Sequence, residues 1–110
     1  MSATQTLCEQ LAREFPGIGA LLEEHLADNG ELLPHVFFGD LTRYVIAGNR
    51  DQAAVVQSLE DTMSSGVASI EELIGVSFVE NIETREELEQ ALAGVNGNKI
   101  REERRRQHSV

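Results

Sequence analysis

The side chains best suited to chemistry are three histidines, one cysteine and several neighbouring carboxylates. His25, His35 and Asp40 together offer two imidazoles and a carboxylate, which could hold a catalytic metal in a small hydrolase. The two histidines stand ten residues apart across a predicted helix break, and the chain has neither an HExxH nor an ExxH motif. Helical geometry therefore does not bring two ligands together, and the sequence predicts no metal site and no cofactor.

Nucleophilic catalysis has equally little support. Cys8 lies beside Glu9 on an amphipathic pattern, which favours a raised pKa and a role as a small core residue. No serine stands in a GxSxG motif, and the glycines of FPGIGALL lack the lysine of a phosphate loop. The sequence predicts a protein that is not an enzyme, with the metal-dependent hydrolase kept as an alternative.

Charge is unevenly distributed along the 110 residues. Residues 1–96 hold 17 acidic and 4 basic side chains, a balance of −13, whereas residues 97–110 carry a balance of +3. An acidic body repels nucleic acid and membrane surfaces and attracts basic partners, although acidity also serves solubility alone. With a lone cysteine and no apolar run near the roughly 20 residues that span a bilayer, we expect a soluble cytoplasmic protein, a monomer or weak homodimer.

The elements that position these side chains are predicted to be helices. Apolar residues recur at helical spacing, and no useful alternating strand pattern is present. Proline and glycine divide the chain into about six helical segments, punctuated at Pro16, Gly30, Gly48, Gly66 and Gly94. We predict one all-α domain over residues 1–96, built as layered antiparallel helix pairs in a short HEAT-like solenoid or as a simple bundle. Residues 97–110 are expected to form a basic tail, either a frayed helix or disordered.

Local signals place several helix starts. Pro34 is expected in the first turn of the third helix, and Asn49 is expected to cap the fourth. Ser69 with Glu72, and Thr84 with Glu87, match the capping box that opens a helix. These signals set the register of the apolar faces.

The fifth helix, in ASIEELIGVSFVENI, is apolar nearly all round and is therefore predicted to be an interior helix. We expect Ile74 and Phe78 to be almost fully buried. Phe37 of the third helix is predicted to lie in the core, with Phe38 at the edge of the same face. Gly39 is expected to let another helix approach closely.

Two segments carry a resemblance: GELLPHVFFGDLTRYV, and about thirty residues later IGVSFVENI. The chain resembles a family of small acidic all-helical bacterial proteins of uncharacterised function, which share an LLPHVFFGD stretch and a later SFxEN stretch. The similarity covers roughly residues 14–93. The size, acidity and helical character of this family are similar to those of immunity proteins that neutralise polymorphic or contact-dependent toxins.

This resemblance implies a protein-binding function, namely an immunity-type inhibitor that occludes the basic surface of a toxin domain. Residues expected to bind the partner are the acidic ones nearest the two segments, together with the histidine that the core does not require: Asp28, Glu31, His35, Asp40 and Glu80. A scaffold or regulatory adaptor would use the same surface and remains an alternative.

Overall fold

The computed structural model describes residues 2–92 and 94–108, and within them every regular element is helical. The predicted all-α class is therefore confirmed. The helices are α1 (Ala3–Glu14), α2 (Pro16–Asn29), α3 (Pro34–Ile46), α4 (Gln52–Met63), α5 (Ala68–Ile74), α6 (Arg85–Leu92) and α7 (Asn98–His108). A π-helical segment, Gly75–Val79, continues directly from α5.

Most helix ends follow from local chemistry. Pro34 occupies the start of α3, as predicted, where its missing N–H leaves no hydrogen bond unmade. Gly30 ends α2 in the left-handed conformation, with φ at 75°, which a residue bearing a Cβ adopts at a cost. Thr84 accepts from the N–H of Glu87 at 3.0 Å, so this predicted cap is confirmed.

Two predicted caps are wrong. The residue that precedes α5 is Val67, and no side chain caps that helix, so Ser69 lies inside the first turn. Asn49 does not cap α4: its side-chain amide donates to the carbonyl of Tyr44 and closes the end of α3 instead. The error at Asn49 arises because a short polar side chain can satisfy backbone groups on either side of it.

The core is aliphatic with four buried phenylalanines, three of them fully buried, and α3 lies at its centre. This helix packs against α1, α2, α4, α5, α6 and the π segment. Phe37 and Phe38 are both fully buried, so Phe38 lies deeper than the edge position predicted for it. The radius of gyration is 13.0 Å, close to the roughly 13 Å of a compact chain of this length.

The α5–π stretch is the interior element that the sequence predicted, with one exception. Ile74 and Phe78 are fully buried, which confirms that expectation. The exception is Val76, whose side chain is 48% exposed, so one apolar residue of this stretch faces water. The wider i→i+5 turn of the π segment changes which residues face inward, and one valine is turned toward solvent.

Residues 98–108, where the sequence suggested a frayed helix or disorder, form α7, and the helix is held by distant contacts. Ile100 is fully buried. The carboxylate of Glu60 accepts from the backbone N–H groups of Lys99 and Ile100 and so caps the helix. Arg101 makes a two-fold hydrogen-bonded ion pair with Glu89, both bonds 2.8 Å long, which lowers the pKa of that carboxyl. Residues 109 and 110 of the predicted tail lie outside the described residues.

Candidate functional site

The two segments that carry the resemblance meet at a seam between α3 and the π segment. His35 Nδ1 lies 2.5 Å from Ser77 Oγ. Two turns further along α3 and more deeply buried, the hydroxyl of Thr42 donates to the carbonyl of Phe38 at 2.8 Å and shares this proton with the carbonyl of Ser77 at 3.3 Å. Residues far apart in sequence are thus fixed against each other by polar contacts as well as by packing.

The π segment depends on side chains for part of its hydrogen bonding. At the end of the segment, an i→i+5 bond runs from the N–H of Glu80 to the carbonyl of Gly75, at 3.1 Å. Asn81 donates its side-chain amide to the carbonyl of Ser77 at 2.7 Å, and Gln107 of α7 donates to that of Gly75 at 2.9 Å. π-helical turns occur frequently at functional sites, so this segment marks the region of interest.

Gly39 faces the same seam but does not mediate a close helix approach. A Cβ added there would meet only the side-chain nitrogen of Asn81, at 3.8 Å, which is an ordinary contact. The expected tight packing at Gly39 is therefore wrong. The 3.8 Å distance nevertheless shows that Gly39 and Asn81 are neighbours, and Asp40 and Glu80 adjoin them in sequence.

All five residues predicted to bind a partner are exposed: Asp28, Glu31, His35, Asp40 and Glu80. His35 and Asp40 are both carried by α3, and Glu80 directly follows the π segment. Asp28 and Glu31 flank the end of α2, and a buried histidine fixes that end to α3. The N–H of Leu33 donates to His25 Nε2 at 3.0 Å, and the two aromatic rings of His25 and Phe37 pack edge to face at 5.6 Å.

The same contacts remove His25 from the metal-site alternative. Its Nε2 accepts a hydrogen bond from the backbone, and its Nδ1 lies 3.3 Å from the side-chain nitrogen of Asn29. Across residues 2–92 and 94–108, no three His, Cys, Asp or Glu side chains converge as metal ligands do. The ligand set of His25, His35 and Asp40 is not assembled in the described part of the chain.

Two further groups could in principle act as nucleophiles. Ser77 has a histidine beside its hydroxyl, yet the residue is only 4% exposed and lies within a packed π segment, so a substrate could not reach it. Cys8 is fully buried, and burial raises the pKa of its thiol to about 12, with a smaller contribution from Glu9. Cys8 is a small core residue, as predicted, and the His35–Ser77 pair is a structural contact.

One exposed residue of the region escaped the sequence analysis. Val36 is 49% exposed and lies between His35 and Phe37 in the first turn of α3. Asp40 follows four residues later, on the same side of the helix. The sequence carries no signal for this residue, because a valine next to two phenylalanines is as typical of the core of a helix as of its surface.

Fold and seam together define a small acidic all-α domain that is organised around a central helix and a π segment. The chain belongs to the family of a domain of unknown function (DUF7674), whose model matches residues 8–109. The match extends beyond the predicted 14–93 and includes most of α1 and all of α7. Comparison with curated proteins and with solved structures found no significant match. None of the described helices has the length and apolar character required to cross a membrane.

Proposed function

We propose that the protein is a protein-binding module, an immunity-type inhibitor that neutralises a cognate bacterial toxin by covering a basic surface with acidic helices. The supporting observation is how the LLPHVFFGD and SFxEN segments divide between core and surface. Phe37, Phe38 and Phe78 are buried, whereas Asp40 and Glu80 are exposed. The core accounts for the first set and does not require the second.

The acidic residues are carried by a rigid support. α3 contacts most of the other helices, and the seam fixes it to the π segment through His35 and Thr42. A surface that is already ordered before binding loses less conformational entropy when a partner docks. Such pre-organisation suits an inhibitor that must form a long-lived complex.

Charge supplies the second part of the argument. The formal net charge is −10 at pH 7, and Asp28 at the end of α2, Glu31 in the turn that follows and Asp40 on α3 are all exposed. Toxins that attack nucleic acid present basic clefts, and complementary charge raises the association rate and selects against wrong partners. Val36 adds an apolar contact within the acidic surface, as is usual where a polar rim surrounds a less polar centre.

The proposal is tested by expressing the protein together with the product of the gene beside its own. We expect the two to co-purify as a stable complex during size-exclusion chromatography, and growth of cells expressing the neighbouring protein to be rescued. A complex without rescue would favour the scaffold or adaptor function, which uses the same surface. If the two proteins form no complex and growth is not rescued, the inhibitor function is contradicted.

A further inference from the structure

A cleft of about 440 Å³ lies between the α5–π stretch and α7, and none of the residues that line it belongs to α3. Its floor contains Met63 from the end of α4 and Gly75 and Val76 from the π segment. Its walls are mostly charged and are formed by Glu71, Glu72, Lys99, Glu102, Glu103 and Arg106. Pockets of this volume accommodate small ligands or a few side chains of a peptide.

The acidic groups of the cleft differ in whether they already have partners. Glu103 accepts from Arg106 and, at 3.1 Å, from Gln107, so its charge is compensated within α7. The side chains of Glu71, Glu72 and Glu102 make no hydrogen bond or ion pair with any described residue. Among the described residues that line the cleft, these three exposed carboxylates outnumber the cations whose side chains make no ion pair with another described residue, namely Lys99, so the cleft favours a positively charged occupant.

Val76 gives the cleft an apolar contact point. It is 48% exposed although Gly75, Ser77, Phe78 and Val79 around it are all buried. Burial of an exposed aliphatic side chain is favourable, because apolar surface is removed from water. A purely hydrophilic cation would leave this side chain uncovered.

We propose that the cleft docks a basic segment of a protein partner, with lysine or arginine side chains directed at Glu71, Glu72 and Glu102 and an aliphatic side chain covering Val76. The unpaired carboxylates and the exposed side chain of Val76 together select this chemistry. The cleft is a second binding surface, separate from the α3 face and independent of the inhibitor function.

The test titrates the whole chain with a capped pentapeptide that has a leucine between two pairs of lysines, and follows backbone amide NMR signals. We expect shifts to concentrate at Gly75, Val76, Lys99 and Glu102. A peptide with serine in place of leucine should bind several-fold more weakly, and one with glutamates in place of lysines should not bind. Shifts spread evenly over exposed acidic residues would overturn the proposal, because they would show unspecific charge attraction.

Two matched valine variants locate the binding. Val76→Ser should weaken the lysine–leucine peptide several-fold, whereas Val36→Ser, which changes a valine of equal exposure on α3, should leave its affinity unchanged. The double variant Glu72→Gln, Glu102→Gln should also bind the lysine–leucine peptide more weakly, and this loss of affinity should be smaller at high salt. Equal effects of both valine variants, or shifts centred on α3, would overturn the cleft proposal while leaving the inhibitor function to its own test.

Discussion

His35 and Ser77 are 42 residues apart in sequence and are joined by a 2.5 Å contact between Nδ1 and Oγ. This contact connects the exposed first turn of α3 with the buried π segment. It lies beside two hydrogen bonds to the carbonyl of Ser77, from Thr42 and from Asn81. The position of the acidic surface on α3 is therefore coupled to the hydrogen bonding of the π segment.

A double-mutant cycle tests this coupling. Thr42→Val and Asn81→Ala each remove one donor to the carbonyl of Ser77, and the other donor remains. Removing both leaves a buried carbonyl without either side-chain partner, so the double variant should lose more free energy of unfolding than the sum of the singles, by about 0.5–3 kcal/mol. Urea denaturation measures all four proteins. Additive losses would show that the two bonds act independently.

Ile74 tests the interior position of α5. Ile74→Ala should lower the free energy of unfolding by about 2–5 kcal/mol, because a fully buried side chain leaves a cavity. Val76→Ala, two residues along and half exposed, is the matched control and should change it by no more than about 0.5 kcal/mol. Similar losses for the two variants in chemical denaturation would contradict this arrangement.

His25 tests the connection between α2 and α3. His25→Leu removes the acceptor of the Leu33 N–H and should destabilise the fold by about 1–3 kcal/mol, the cost of an unpaired buried donor. His25→Gln places an oxygen near the position of Nε2 and should recover part of that loss. Thermal unfolding of both variants gives the comparison, and a leucine variant as stable as the glutamine variant would refute the role.

The ionisation of Tyr44 can be followed by absorbance without interference, because it is the single tyrosine and the chain has no tryptophan. Burial, and then the 2.8 Å hydrogen bond that its hydroxyl donates to Asp51, raise the pKa of Tyr44 to about 12. An unfolded tyrosine has a pKa of about 10, so the stability from this group is complete below pH ~10 and is lost as the pH rises toward 12.

Phenolate absorbance against pH follows this titration directly. Asp51→Asn keeps an acceptor and removes the charge, and should shift the midpoint toward the ordinary value. A wild-type midpoint at the ordinary tyrosine value would show that the hydroxyl is exposed to water and not bonded to Asp51.

The sequence predicted those features that depend on local periodicity and backbone chemistry. Pro34 and Gly30 mark helix ends because their backbone preferences act within a few residues. Ile74, Phe78 and Phe37 are buried because an apolar face has few other ways to leave water. These effects need no knowledge of the rest of the chain.

Features that depend on distant contacts could not be predicted. α7 has a polar sequence with one buried apolar residue, Ile100, and its order comes from Glu60 at its start and the Arg101–Glu89 pair. The π segment likewise follows an i→i+5 pattern that a 3.6-residue period does not describe. For the same reason the apolar pattern of ASIEELIGVSFVENI does not indicate that Val76 is exposed.

The most direct test of the inhibitor function is the association rate with the neighbouring gene's product. Three proteins are compared by stopped flow. The first is the wild type, and the second carries Asp28→Asn, Glu31→Gln and Asp40→Asn. The third is a control that carries Glu14→Gln, Asp61→Asn and Glu86→Gln. All six carboxylates belong to exposed residues, so the two triples remove equal charge from different surfaces.

We expect the first triple to slow association at 0.1 M salt far more than the control does, since charges at the rim of an interface act mainly on the on-rate. The difference should shrink at 1 M salt, where the Debye length falls from about 10 Å to about 3 Å. Rapid association that is equal for all three proteins and indifferent to salt would contradict the proposed role of the acidic α3 surface.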